Sequence, residues 1–363
     1  VTPSSPSAPL RPPTPRSKSR KPLLCGYYGE HNLGDDALLS VLLAQLPARV
    51  KPLVTAHDKA LVRSRYGVPT VDRRDLRAVL AALVQCDALV LGGGSLLQDA
   101  TSVRSLLYYA LLILCARASG RPVLLWGQGL GPLRRRRSRL LVRALLPLAN
   151  ACSWRDPASS RLAARLGGRG GEVGSDPVWA FPAVPWRGGG GPIVLCWRPL
   201  PRWDPSRWRP YLTALELLLQ RSDRSLLWLA FHGDQDSGLL ATLEGQGLLS
   251  DTVRRRSREQ RPGDPSEALR SFQQAGLVLA MRLHGLILAA LAGAPCTALS
   301  YDPKVAAAAE SIGCPWQDLD LPPPTDLAER WQACLDHPLD SGRVALLRQN
   351  TEPHRRLLEA WLG

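Results

Sequence analysis

From Pro22 onward, short runs of apolar, β-prone residues alternate with longer segments whose apolar positions recur at helical spacing. "PLLCGYYG" precedes a helix from about Asp35, "DALVLGGG" one from about Ser102, and "PVLLWGQGLG" an arginine-rich helix. "ACSWRD" and "EVGSDPV" predict two more strands. This alternation is the mark of βαβ units on a parallel sheet. The proline and glycine of "PAVPWRGGGGP", residues 182–192, predict a linker. A second series follows: "PIVLCWRPL" (192–200), "SLLWLAFHGDQD" (225–236), "LVLAMRLHG" (277–285) and "PCTALSYDPK" (295–304), with helical patterns between them such as Pro210 to Arg221. The fold class expected is α/β, with two doubly wound, Rossmann-like parallel-sheet domains facing a cleft. In such sheets ligands sit beyond the carboxyl ends of the strands, where every motif below falls.

The bulk numbers agree with two domains. The chain has 363 residues, more than the ~250–300 at which a single core stops growing. The boundaries expected are a basic, proline-rich, disordered tail over 1–21, an N-terminal domain over 22–181, a linker over 182–191 and a C-terminal domain over 192–340. The last stretch, 341–363, is expected to be a helix that packs back on the N-terminal domain. The tail carries Arg11, Arg16, Lys18, Arg20 and Lys21 without an acid, and lacks the apolar core of a signal peptide. The chain starts at Val1 and its one methionine is Met281, which reads as a non-Met start or a processing or gene boundary.

A formal charge of +15, from 46 Lys and Arg against 31 Asp and Glu, favours anionic partners: phosphorylated metabolites, nucleic acid or acidic lipid. The eight cysteines form no CxxC pair and read as reduced thiols of a cytoplasmic protein. The longest apolar run, Leu106 to Ala116, is about half of the ~20 residues that a membrane span needs.

Several motifs carry candidate chemistry beside an ordinary structural role. "LVLGGGSLLQD" puts Gly92, Gly93 and Gly94 after a buried strand, where bare backbone can approach an anion and Ser95 adds a hydroxyl. No Gly-Lys-Ser/Thr follows, so it is no P-loop; the plain alternative is a tight strand-to-helix turn. In "GYYGEHNLGDDALL", Asn32 or Asp35 could cap a helix, while Tyr27, Tyr28 and Asn32 together suit a pocket wall with sugar-like hydroxyl partners. "WGQGLGPL", with Gln128, lacks the glycine spacing of a dinucleotide fingerprint and is taken as a cleft-lining loop. The run Arg134 to Arg137, with Arg139 and Arg143, could touch nucleic acid or an anionic membrane, although a solvated helix face is commoner; Arg254 to Arg256 read the same way. Neither run has the interleaved aromatics of a base-stacking surface.

"LVLAMRLHGLILAALAGAP" sets Arg282 and His284 between two apolar runs. If Leu277 to Leu283 is a strand, period-two alternation puts both bases on one face, above the N-terminus of the helix that follows. The competing reading is a buried Arg paired to an acid and a satisfied His. Lys304 in "LSYDPKV" is expected to join them from the next strand end.

"GYYGEHNLGDDALL", "LGGGSLLQD", "GQGLGPL", "SWRDPAS", "MRLHGLILAALAGAP" and "SYDPKV", in this order between Leu23 and Lys304, resemble the polysaccharide pyruvyl transferases, notably those of the CsaB type. The resemblance implies a fold similar to the GT-B glycosyltransferases. It also implies transfer of a pyruvyl group from phosphoenolpyruvate to two sugar hydroxyls, giving a cyclic ketal and phosphate in cell-envelope polysaccharide synthesis. On that reading the catalytic residues are His284, Arg282 and Asp35, and Lys304, Arg155, Gly93, Gly94 and Ser95 bind the donor. Tyr28, Asn32, Asp99 and Gln128 lie on the acceptor side, in the N-terminal domain, with Arg155 reaching over from it. Three cations would meet phosphate and carboxylate through charge-assisted hydrogen bonds of ~1.5–3 kcal/mol each. An imidazole, with a reference pKa of ~6.5, suits His284 as the acid that protonates the enol carbon. The alternative makes it only a phosphate ligand and gives proton transfer to Asp35 or Asp99. No cofactor and no metal is implied, since phosphoenolpyruvate is the donor substrate. His31 and Asp36 depart from the family pattern, which often has glycine or aspartate at the first and glutamate at the second.

Two other function classes compete. A nucleotide-sugar glycosyltransferase is favoured by "LILAALAGAP", which resembles the helix of retaining GT-B enzymes, but Leu288 stands where those enzymes commonly hold the ribose with Glu. A non-enzymatic anion- or nucleic-acid-binding protein would rest on the charge alone. The partners expected are phosphoenolpyruvate and a sugar or lipid-linked glycan, with no nucleic acid and with homo-oligomers left open. The arginine helix would contact the inner membrane surface of the cytoplasm.

Overall fold

In the computed structural model the described residues are 20–100 and 102–363. The expectation for a disordered tail falls almost wholly on residues 1–19, outside the described residues. Arg20 and Lys21 are already tied down: the Arg20 carbonyl accepts from the Lys51 amide at 2.9 Å, and the Lys21 amide donates to Asp87 at 2.8 Å.

Two parallel sheets organise the chain. The first has seven strands in the order β3-β2-β1-β4-β5-β6-β7, with β1 Pro22–Cys25, β2 Leu53–Ala56, β3 Thr70–Asp72, β4 Ala88–Leu97, β5 Val123–Leu130, β6 Ala151–Trp154 and β7 Glu172–Val173. The second has six in the order β10-β9-β8-β11-β12-β13, with β8 Ile193–Cys196, β9 Leu226–Leu229, β10 Ser257–Gln260, β11 Leu277–Ala280, β12 Cys296–Ser300 and β13 Trp316–Asp318. Every strand pairing is parallel. Strands such as "LLC" and "IVLC" are apolar throughout and buried on both faces. Strand order reverses between β1 and β4 and again between β8 and β11, which are the switch points where such sheets expose chemistry at their carboxyl ends.

The contacts divide the chain into two compact units. One holds the described residues up to Glu30, Asp35–Ala180 and Arg348–Gly363; the other holds His31–Gly34 and Phe181–Leu347. In the first, Leu89, Leu91, Leu106, Ile113 and Leu125 form the centre of the core, and the helix Glu352–Leu362 lies against β5 and β6. In the second, Trp197, Trp208 and Trp228 pack ring against ring over the sheet. All eight cysteines are free thiols. Among the described residues no helix is long and apolar enough to cross a membrane.

Two strand ends differ from the expectation, and both bear on the site. β4 does not turn into a helix at Gly92. It runs on through the three glycines to Leu97, paired with β5, and the next helix starts at Val103 under a Ser102 cap. β11 stops at Ala280, and Arg282 is the N-cap of the helix Leu283–Leu291. Arg282 and His284 are therefore not alternate residues of one strand; they occupy the N-cap and first turn of a helix.

Candidate functional site

In the second unit, four segments meet at the carboxyl end of the sheet. Arg282 is held by an acid: its Nε donates to Asp236 at 3.0 Å, its Nη2 reaches the other Asp236 oxygen, and Nη2 also lies 3.3 Å from Gln235 Oε1. The Asp236 side chain is wholly buried, and it also accepts the His232 amide at 2.8 Å. A desolvated carboxylate in this position fixes the guanidinium plane, and among the described residues Nη1 makes no hydrogen bond. Arg282 supplies no capping hydrogen bond to the helix it begins, whereas Asp302 caps the next helix, Pro303–Ile312. The first-turn amides of Leu283–Leu291 thus add to the positive potential there.

His284 lies in that first turn, with its ring against Gly34. Gly34 is there because His31–Gly34 is stitched to the end of β9: the Leu33 amide donates to Phe231 O at 3.1 Å, Gly233 donates to His31 O at 2.8 Å, and Asn32 bridges His232. Asn32 caps its own helix, accepting from the Gly34 amide at 3.0 Å. It was expected on the acceptor side of the N-terminal domain; the backbone pairing places it in the second unit instead. His31 adopts a left-handed φ of 54°, which explains why glycine suits this position.

His232 is buried, and neither ring nitrogen has a hydrogen-bond partner among the described residues. Burial, reinforced by the Arg282 charge, pushes its pKa down, so the imidazole is neutral at pH 7. Arg198, just beyond β8, donates to the Tyr301 hydroxyl at 3.2 Å and lies over that ring. The Lys304 ammonium pairs at 3.2 Å with Asp302, the acid that caps its own helix.

The first unit carries a separate polar cluster. Arg155, just after β6, donates to Ser95 Oγ at 2.8 Å, lies 3.3 Å from Asp176 and 3.5 Å from Asp156, and covers Gly129, where a side chain would collide with it. Ser95 and Arg155, both expected to bind the donor, are thus in contact. Gly93 and Gly94 take φ of 80° and 71° within β4. They do not form a helix N-terminal cradle, because Gln128 clasps this stretch: its Nε2 donates to Leu91 O at 3.0 Å and to Gly93 O at 3.1 Å.

Three residues expected on the acceptor side make contacts that hold the fold. Tyr28 is fully buried and its hydroxyl donates to Gly92 O at 2.7 Å, so it presents no surface to a sugar. Gln128 is buried behind the glycines. Asp99 accepts the amides of Arg134 and Arg135 at 2.7 and 2.8 Å, tying down the entry to the helix Arg136–Leu145. Burial alone would raise the Asp99 pKa, but these two amides and the Ser138 hydroxyl outweigh it and hold the carboxyl below its ordinary value. Asp35 lies in the first turn of the helix Leu33–Gln45. Asp36 pairs with Arg65 at 2.7 Å.

A family profile described as polysaccharide pyruvyl transferase matches residues 32–303. The chain belongs to the polysaccharide pyruvyl transferase family. No curated protein sequence matches it. Among solved structures it is similar to Anabaena Alr3699/HepE in complex with UDP-glucose, at 14% identity over 92% of this chain and 93% of that one, with a TM-score of 0.54. It is also similar to UDP-GlcNAc 2-epimerase from Methanocaldococcus jannaschii, at 11% identity over 93% and 98%, with a TM-score of 0.62. S. aureus MnaA with UDP matches at 12% identity over 92% of each chain, with a TM-score of 0.55. The likeness to these structures is one of fold: two parallel-sheet α/β units of the GT-B kind.

For a member of this family, the sequence reading left out His232, Asp236 and Arg198. All three stand just past the ends of β9 and β8, and the rule that ligands collect beyond strand carboxyl ends applies to them as to Arg282.

Proposed function

We propose that this chain is a transferase of the CsaB type that moves the pyruvyl group of phosphoenolpyruvate onto two hydroxyls of a sugar in a cell-envelope glycan, releasing phosphate. The observation that carries the reading is Arg282 locked by Asp236 and Gln235, with the imidazole of His284 in the next turn of chain. A pre-set guanidinium meets a phosphate or carboxylate without spending freedom on binding. A neighbouring imidazole suits general acid–base work.

In the proposed reaction His284 protonates the methylene carbon of the enol, and the adjoining carbon becomes electrophilic. One sugar hydroxyl attacks that carbon and returns a proton to His284; the C–O bond to phosphate breaks; the second hydroxyl then closes the ketal and gives its proton to the departing phosphate. Arg282 offsets the charge of the donor and of the departing phosphate.

A second reading, a nucleotide-sugar transferase, is supported by the fold shared with proteins that hold UDP or UDP-glucose. Leu288 counts against it, being apolar and wholly buried where a ribose-binding acid would be needed. The test is phosphate release from phosphoenolpyruvate across a panel of sugars, with wild type and His284→Ala. Release by wild type and its loss in the variant are expected; equal release by both would refute the role of His284. Calorimetry that finds nucleotide sugars bound and phosphoenolpyruvate not bound would overturn the donor.

A further inference from the structure

The first unit has an outer surface that the proposed reaction does not use. The helices Leu76–Gln85, Val103–Ala118 and Arg136–Leu145 lie side by side, the middle one packed on both others and on β4. Their inner faces, with Val79, Leu83, Leu106, Ile113 and Val142, close the core. Their outer faces are unusual in two respects. None of the three helices contains an Asp or Glu, yet Arg77, Arg104, Arg117, Arg136, Arg137, Arg139 and Arg143 are all exposed, and none pairs with a carboxylate among the described residues. Between the arginines stand apolar side chains that the core does not take: Val84 is 54% exposed, Leu107 53%, Leu114 48% and Leu140 65%. Leu107, Leu111 and Leu114 follow one another at helical spacing, with Arg104 and Arg117 near the two ends.

A solvated helix face normally mixes both signs of charge and keeps leucine inside. We infer that this three-helix face docks on an anionic phospholipid bilayer, its leucines entering the interface and its arginines meeting the headgroups. The chemistry is that of an interfacial amphipathic surface, in which apolar area and electrostatic attraction act together. Arginine stems can lie along the apolar layer while the guanidinium stays at the phosphates. A second copy of the chain would set arginine against arginine across the contact. A nucleic acid would satisfy the arginines but not the leucines, and the three helices expose no aromatic ring for a base.

The experiment is flotation of the full chain with phosphatidylcholine vesicles, with and without phosphatidylglycerol, read in the absence of any sugar or phosphoenolpyruvate. Wild type should float with the anionic vesicles and remain behind with the neutral ones. Arg136→Gln with Arg137→Gln and Arg143→Gln should weaken partitioning about fivefold for each arginine removed. Leu107→Gln with Leu114→Gln leaves the charge unchanged and should weaken it roughly tenfold. These positions are exposed, and far-UV circular dichroism confirms folding of each variant. Absence of flotation with anionic vesicles overturns the inference. So does flotation that both variant sets leave intact, which would assign it to the basic N-terminal residues. A leucine pair that is silent in flotation while duplex DNA competes with the vesicles would make the face a polyanion site, and a dimer in sedimentation velocity that the leucine variants abolish would make it a self-association surface.

Discussion

Gly34 lies so close to His284 that a Cβ there would stand 2.8 Å from the ring Cγ. The imidazole is thus seated against bare backbone. Gly34→Ala should push the ring from its place. We expect phosphate release from phosphoenolpyruvate to fall about 100-fold in kcat, with a loss of ~1–3 kcal/mol in stability from overpacking. Steady-state kinetics with a denaturant melt separate the two effects. An alanine variant that folds and keeps wild-type kcat would show that the seat of His284 is not used in turnover.

Arg155 is a cation partner of the buried Asp176, both side chains being 8% exposed and 3.3 Å apart. Arg155→Ala removes that charge and should destabilise the first unit by ~3 kcal/mol. Ser95→Ala removes only a hydroxyl that accepts from the same guanidinium, and should cost about 1 kcal/mol. Hydrogen exchange at β6 and β4 reads the first unit without assuming that the whole chain melts in one step. Equal, small effects of both variants would mean that Arg155 is a surface charge in solution.

Asp99 holds two amides, one on each oxygen. Asp99→Asn keeps one acceptor and should cost about 1 kcal/mol, with kcat unchanged. Because its folded pKa is depressed, the stability that Asp99 contributes is present above the unfolded value of ~3.9 and is lost as pH falls through the lower folded value. The variant should therefore flatten the acid limb of a thermal-stability profile below about pH 4 and nothing above it. A collapse of kcat at unchanged Tm would assign Asp99 the proton transfer instead.

What was legible in the sequence follows from what is local. Strands buried on both faces announce themselves as apolar runs, and "PLLC", "IVLC" and "CTALS" are strands as expected. Whether "GGGS" turns or stays extended is decided by Gln128 and Tyr28, which grip its carbonyls from elsewhere in the chain, and no local pattern carries that. The alternation that put Arg282 and His284 on one strand face failed because β11 ends two residues before Arg282. Asn32 moved between units for a non-local reason as well, its backbone bridge to His232. Asp236 was within reach: an acid just past a strand end, in the same sheet as an arginine expected to be desolvated, is the partner that the arginine needs.

His354 joins the helix Glu352–Leu362 to the first sheet through both ring nitrogens. Nε2 lies 2.7 Å from the Ser175 carbonyl, which can only accept, so Nε2 carries the proton. Nδ1, 2.8 Å from Ser153 Oγ, then accepts from that hydroxyl, whose oxygen takes the Gly127 amide at 2.9 Å. Burial pushes the His354 pKa down, against the opposing pull of the Ser175 carbonyl, Asp176 and Glu172. The folded chain therefore keeps this imidazole neutral, while the unfolded chain protonates it near pH ~6.5. Its contribution is present above that pH and is lost as pH falls from there through the lower folded value, with a slope of up to ~1.4 kcal/mol per pH unit. His354→Gln should cost ~2 kcal/mol near neutrality, because Ser153 and Ser175 lose their partner, and should remove this slope. Other imidazoles titrate in both proteins, so the measure is the difference between their Tm profiles from about pH 7.5 to 5.5. The gap should narrow as pH falls, and profiles that stay parallel would mean that His354 does not couple the C-terminal helix to protonation.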